Sequence, residues 1–225
     1  MSFFVLLPGA GGEAWYWHLV EPRLRALGHD VVAVDLPAAD ENAGLREYAA
    51  VAADAIGSRT DAIVVAQSMA AFIALPPVRQ IILVAPMIPA PGETPGEWWE
   101  ASGQVEAQRR ADLKDGRDPD APFDPLATFF HDVPPEVTEE ALARGAPRQA
   151  DRPFGDPWAL DAWPDVPTQV IAGRHDRLFP IAFMHRLALE RLGLHAGVID
   201  SGHLPALSRP DELTNRLDSY RKLVQ

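Results

Sequence analysis

Three residues in this chain have the types and the order needed for acyl transfer by a serine nucleophile. The apolar run Ala62-Ile63-Val64-Val65-Ala66-Gln67 ends abruptly on Ser68, and Met69-Ala70-Ala71 follows. A strand that turns sharply into a helix holds a serine hydroxyl at the turn, and the positions two before and two after it must be small. Ala66 and Ala70 occupy those positions, a relaxed match to G-x-S-x-G. The same pattern also describes a buried strand followed by a helix that Ser68 caps. A serine nucleophile further needs a base to take its proton and a carboxylate to orient that base. Asp176 follows the apolar Val170-Ile171-Ala172, in the loop Gly173-Arg174-His175-Asp176-Arg177-Leu178-Phe179-Pro180. His203 follows Val198-Ile199, in Asp200-Ser201-Gly202-His203-Leu204-Pro205. The order Ser, Asp, His, each just beyond a strand, is that of a catalytic triad at the carboxyl edge of a sheet.

Other candidates are poorer. His175 directly precedes Asp176, and neighbouring side chains point apart, so the two make a poor base–orienter couple. His131, in Phe129-Phe130-His131-Asp132, lies in the stretch between the strands, where a surface or packing role competes with one facing a pocket, and His18, His29, His185 and His195 read as ordinary helix or loop positions. No His-x₃-His pair or other ligand spacing points to a metal site. The reaction also needs two backbone N–H groups aimed at the developing oxyanion. Met69, next to the serine, would supply one. Ala10, in Pro8-Gly9-Ala10-Gly11-Gly12 after the first apolar run, would supply the other, with Gly9 allowing close approach to substrate. That loop is not a phosphate cradle, because neither G-x-G-x-x-G nor a Gly-Lys-Ser/Thr sequence is present.

The elements that must position these residues alternate. Strands are expected at Phe3–Leu7, Val31–Leu36, Ile63–Gln67, Gln80–Ala85, around Val170–Ala172 and at Val198–Ile199. Helices are expected at Trp15–Leu27, Gly44–Ile56, after Ser68, at Ile181–Leu192 and at Pro210–Leu223, the last capped by Ser208. Strands that read as continuous apolar runs between helices predict an α/β fold with a mostly parallel sheet covered on both faces. From Met87 to Pro167 the rhythm breaks into a stretch rich in proline, tryptophan and charge. Its aromatic residues (Trp98, Trp99, Phe123, Phe129, Phe130, Trp158 and Trp163) argue against disorder. The segment 87–163 is expected to be a helical cap inserted in a single domain spanning 1–225. Trp98, Phe130 and His131 within it, together with Gly9, are the candidate substrate contacts, and the aromatics suit an apolar acyl or alcohol part.

Bulk composition narrows the partners. The sequence has 225 residues, no cysteine, and a formal net charge of −12. Disulfides, thiolate metal sites and a cysteine nucleophile are therefore excluded. The acidic balance argues against nucleic acid, whose phosphates need a basic surface. No apolar run reaches the ~20 residues of a membrane span, and the N-terminal stretch lacks the basic start of a signal peptide. The expectation is a cytoplasmic protein that acts on a small molecule.

These motifs together resemble the α/β-hydrolases, and most of all the methylesterase and hydroxynitrile-lyase-like branch. The likeness rests on Leu7-Pro8-Gly9-Ala10 with Trp15 and Trp17, on the Ser68 turn, on Ala85-Pro86-Met87-Ile88-Pro89 with Pro91-Gly92-Glu93, on the Asp176 loop and on Gly202-His203. It implies an α/β-hydrolase fold with a helical cap. It also implies hydrolysis of small carboxylic esters through an acyl-serine, no cofactor, and a homodimer at the level of the family. Thioesterase, acyltransferase or lyase chemistry on the same triad, and ligand binding with little turnover, remain alternatives. Pro8 stands where the branch has histidine, and alanines 66 and 70 stand where it has glycines. Neither lysine, Lys114 or Lys222, is placed like the active-site lysine of the plant lyases.

Overall fold

The structure, a computed structural model, describes residues 1–224. Six strands form one sheet: β1 (Phe3–Leu7), β2 (Asp30–Ala33), β3 (Ala62–Gln67), β4 (Gln80–Val84), β5 (Thr168–Gly173) and β6 (Gly197–Ile199). Their spatial order is β2-β1-β3-β4-β5-β6, and every pairing is parallel. The order reverses direction at β1, and from β3 onward strands are added one after another on the other side.

The alternation of side chains along each strand explains the unbroken apolar runs. Phe3, Val5, Leu7, Val64, Ala66, Leu83, Val170 and Ala172 face one side, where α2 (Leu45–Ile56) and α7 (Ile181–Leu192) pack. Phe4, Leu6, Ile63, Val65, Ile82, Val84 and Ile171 face the other, under α1 (Glu21–Ala26) and the C-terminal α9 (Pro210–Tyr220). Both faces being dry, a strand gains from an apolar residue at every position. Each fully buried Leu, Ile, Val or Phe contributes roughly 1.5–3 kcal/mol relative to exposure.

Between β4 and β5 lie α3 (Pro95–Ala101), α4 (Gln104–Lys114), α5 (Pro125–Phe129) and α6 (Pro135–Ala143). Two starts in this stretch are well capped. Thr94 accepts from the Glu97 N–H while Glu97 reaches back to the Thr94 N–H, and Asp124 accepts from the Leu126 N–H.

Three helical expectations change in detail. Trp15–Leu27 divides into a 3₁₀ turn, Ala14–Trp17, and α1, whose second residue is Pro22. The helix after Ser68 is a single 3₁₀ turn, Ser68–Phe72. Pro76 and Pro77 follow closely and β4 begins at Gln80, so the chain has no length for more. Trp158 and Trp163, stacked with ring centroids 5.9 Å apart, line one hollow together with Leu160, Ala66, Ala70, Ile81 and Leu83. Ser208 does not cap α9. It ends the short α8 (Pro205–Ser208), and its hydroxyl pairs with that of Ser201 at 2.7 Å.

Candidate active site

The site is built from the carboxyl ends of β1, β3, β5 and β6. β3 is hydrogen-bonded on both sides, to β1 and β4, so its last residue, Gln67, sits at mid-sheet. Ser68 follows with φ 51, a left-handed conformation that costs an L-residue about 1–2 kcal/mol. Ala85, at the end of the adjacent β4, has φ 43, and these are the two non-glycine residues with positive φ among the described residues. Strain held at two neighbouring strand ends is characteristic of a site that the surrounding fold over-determines. The turn is locked from both sides: Ala66 and Ala70 are buried, and the Ser68 carbonyl accepts from the Met87 N–H at 3.0 Å. Ser68 does not act as a helix cap. The capping position is Gln67, and no side-chain capping bond is made there.

Asp176 and His203 meet because β5 and β6 deliver their loops side by side. Gly173 makes this possible. A Cβ there would stand 2.6 Å from the Ser201 carbonyl oxygen and closer still to that of Gly202. Asp176 Oδ1 accepts from the N–H groups of Leu178 and Phe179, both at 2.8 Å, which fixes the carboxylate plane. Asp176 Oδ2 lies 2.8 Å from His203 Nδ1, with both residues buried. An ionised carboxylate only accepts, so Nδ1 carries the proton and Nε2 keeps its lone pair. The Gln67 amide nitrogen is 3.3 Å from Nε2 and donates to it, and it also lies 3.5 Å from the His203 carbonyl oxygen. No hydrogen bond joins Ser68 Oγ to His203 among the described residues. The rings of Phe179 and Phe129 flank the imidazole, with centroids 4.9 and 5.4 Å away. Burial pushes the Tyr16 phenol far up, and the Asp176 and Asp132 carboxylates add to the effect.

The first loop lies directly against the serine turn. A Cβ on Gly9 would be 3.0 Å from Ser68 Cβ and closer still to Gln67 Oε1. Gly11 and Gly12 have φ of 90 and 66, and the Gly12 N–H closes the turn onto the Gly9 carbonyl at 3.1 Å. The Gly11 N–H is held by Gln149 Oε1 at 2.9 Å. Among the described residues, the N–H groups of Ala10 and Met69 make no hydrogen bond to a loop or side chain.

The remaining expected contacts fall in different places. Trp98 is fully buried in the core, its indole N–H donating to the Ile88 carbonyl at 2.8 Å and its ring packed on Phe179 and Phe183. Phe130 packs with the Tyr16 and Trp17 cluster on the opposite face of the sheet. The neighbouring Phe129 is the one that reaches His203. His131 has both ring nitrogens buried without a partner. Burial lowers its pKa and the Arg177 charge adds to that, against a smaller opposing pull from Asp132. Sequence reasoning passed over Gln67, Phe129 and Asp132. A polar residue ending an otherwise apolar strand was the available signal for Gln67. For Phe129 over Phe130, no signal distinguishes two adjacent aromatics.

A parallel sheet with a strained serine turn at its centre and paired Asp and His loops beyond it defines an α/β-hydrolase. The chain belongs to the alpha/beta hydrolase family, whose family model matches residues 4–216. Among solved structures it is similar to a methylesterase from Arabidopsis, at 21% identity and TM-score 0.74, with 99% of this chain and all of that one covered. It is also similar to a pyrethroid hydrolase from Sphingobium faniae, at 19% identity and TM-score 0.70, covering 98% of this chain and 97% of that one. Norfluorocurarine synthase 1 from a Strychnos species is 50% identical over 40 residues, a stretch that is 18% of this chain and 15% of that protein's length. Among the described residues no helix is long and apolar enough to cross a membrane.

Proposed function

We propose that this protein is a serine esterase that cleaves small carboxylic esters through an acyl-Ser68 intermediate. The observation that carries the reading is the buried 2.8 Å contact between Asp176 and His203 Nδ1, on loops beside the strained turn that presents Ser68. Ser68 Oγ attacks the ester carbonyl carbon and its proton passes to His203 Nε2. For this the hydroxyl takes the place that the Gln67 amide holds on Nε2. Asp176 keeps the ring oriented and stabilises the imidazolium that forms. The N–H groups of Ala10 and Met69 hold the tetrahedral oxyanion, each such donor being worth about 10²–10³ in rate. Collapse breaks the ester C–O bond and His203 returns its proton to the leaving alkoxide. Water, deprotonated by the same histidine, then releases the acid and restores Ser68.

The segment 87–163 acts as a cap over this edge, with Phe129 and Phe179 giving the reacting centre an apolar wall. The resemblance of the fold to esterases supports an ester as substrate, and methyl esters and apolar-alcohol esters are the first to try. The test is hydrolysis of graded acyl esters beside Ser68→Ala, with mass-spectrometric mapping of a fluorophosphonate adduct. Turnover by wild type, none by Ser68→Ala, and an adduct on Ser68 support the reading. Undiminished turnover by Ser68→Ala overturns it.

A further inference from the structure

We infer that Asp132, in the segment between β4 and β5, is a positioning residue that clamps the loop carrying His203. The inference rests on His203 being the base. Asp132 Oδ2 accepts the backbone N–H of Gly202, the residue immediately before His203, at 2.6 Å across 70 positions of sequence. Hydrogen bonds to an ionised acceptor are about twice as strong as neutral ones. The contact is close-packed as well as polar. A Cβ on Gly202 would lie 2.6 Å from Asp132 Oδ1 and 2.8 Å from His131 Cε1, so glycine is required there for the carboxylate to reach the main chain.

The carboxylate has no competing structural duty. Its second oxygen is buried without a partner, and no ion pair involves it among the described residues. The ring nitrogens of His131 beside it are buried and do not donate to it. An oxygen buried without a partner costs free energy, and the Gly202 N–H is the hydrogen bond that the carboxylate makes. The loop it grips is also held by the His175 N–H to the Ser201 carbonyl at 3.0 Å and by the Ser201–Ser208 hydroxyl pair, but of these contacts only that of Asp132 engages the Gly202 N–H. Asp176 holds the imidazole from β5, and Asp132 holds its backbone from the cap. The cap thus takes part in assembling the base, in addition to bounding substrate.

The test compares wild type, Asp132→Asn and Asp132→Ala as full chains, using kcat and KM on a short-chain p-nitrophenyl ester and the rate of Ser68 labelling by a fluorophosphonate. Thermal unfolding identifies which variants fold. The expected result is a kcat and a labelling rate reduced tenfold or more in Asp132→Ala, with KM within threefold. Asp132→Asn, whose amide oxygen still accepts from Gly202, should recover to within three- to tenfold of wild type. A folded Asp132→Ala with wild-type kcat overturns the clamp, as does a loss confined to KM. If Asp132→Ala does not fold, Asp132→Leu, of similar size and with no acceptor for the Gly202 N–H, decides: a folded variant with an undiminished labelling rate overturns the clamp. Absence of Ser68 labelling in wild type overturns the esterase reading and the clamp with it, whereas normal wild-type labelling with equally fast variants overturns the clamp alone.

Discussion

The Gln67 amide nitrogen lies 3.3 Å from His203 Nε2, on the ring nitrogen opposite the one that Asp176 holds. The residue before the serine, and not the serine, is hydrogen-bonded to the imidazole. In the proposed mechanism, attack by Ser68 therefore begins with an exchange of donors on one lone pair. A neutral hydrogen bond is worth about 1 kcal/mol net, roughly a fivefold factor. Gln67→Ala is expected to raise the fluorophosphonate labelling rate of Ser68 by up to about that factor. An unchanged or slower rate would show that the amide does not compete with the hydroxyl.

Asp176→Asn should abolish most activity while leaving the fold. The introduced amide oxygen can still accept from the Leu178 and Phe179 N–H groups, so the loop keeps its shape. Its NH₂ group then faces His203 Nδ1 and forces the proton onto Nε2, against the Gln67 N–H. The base has the wrong tautomer, and a loss on the order of 10³–10⁴ in kcat follows. Steady-state kinetics with a thermal melt check this, and a rate within tenfold of wild type would place the orienting acid elsewhere.

The strain at Ser68 gives a stability prediction independent of activity. At φ 51, glycine meets no Cβ penalty, whereas alanine meets the same penalty as serine. Ser68→Gly should be inactive and more stable by about 1 kcal/mol, a rise of roughly 2–4 °C in Tm for a chain of this size. Ser68→Ala should be inactive with no such rise. Calorimetry on the two variants separates them, and equal melting temperatures would remove the strain argument.

Gly173→Ala places a methyl against two backbone carbonyls that cannot rotate away. Overpacking of this kind costs about 1–3 kcal/mol. Because the displaced atoms belong to Ser201 and Gly202, His203 should move with them. Both Tm and Ser68 labelling should fall, and a fall in Tm alone would mean that the loop relaxes without shifting the imidazole.

On the opposite edge of the molecule, Asp218 titrates at about 2. Partial burial raises its pKa, but hydrogen bonds from Arg221, His29 and Lys222 lower it further than burial raises it. A carboxyl whose folded pKa lies below its unfolded value stabilises the fold above about pH 4. That contribution disappears as pH falls from about 4 to 2. Wild type should therefore exceed Asp218→Asn in urea midpoint at pH 6, and the gap should close across that window. A gap that persists at pH 2 would contradict the assignment.

Much of this was legible from local chemistry. Ser68, Asp176 and His203 are each set by a short strand pattern followed by a turn, and both are properties of a few adjacent residues. The unbroken apolar runs determined a parallel sheet buried on both faces, because only there does every side chain on a strand gain from being apolar. Other features depend on residues far apart in sequence. Gln67 could be seen as the polar end of a strand, but its place on His203 is created when β3 and the β6 loop meet 136 positions apart. Phe129 in place of Phe130 at the imidazole depends on how α5 is rotated, which two adjacent aromatics do not specify. Asp132 reaches Gly202 only once the segment after β4 folds back over the sheet. The sequence by itself determined the order of the reacting groups and the strands that carry them. The tertiary structure decided which side chains orient those groups, because hydrogen-bond distance between remote loops is a product of packing.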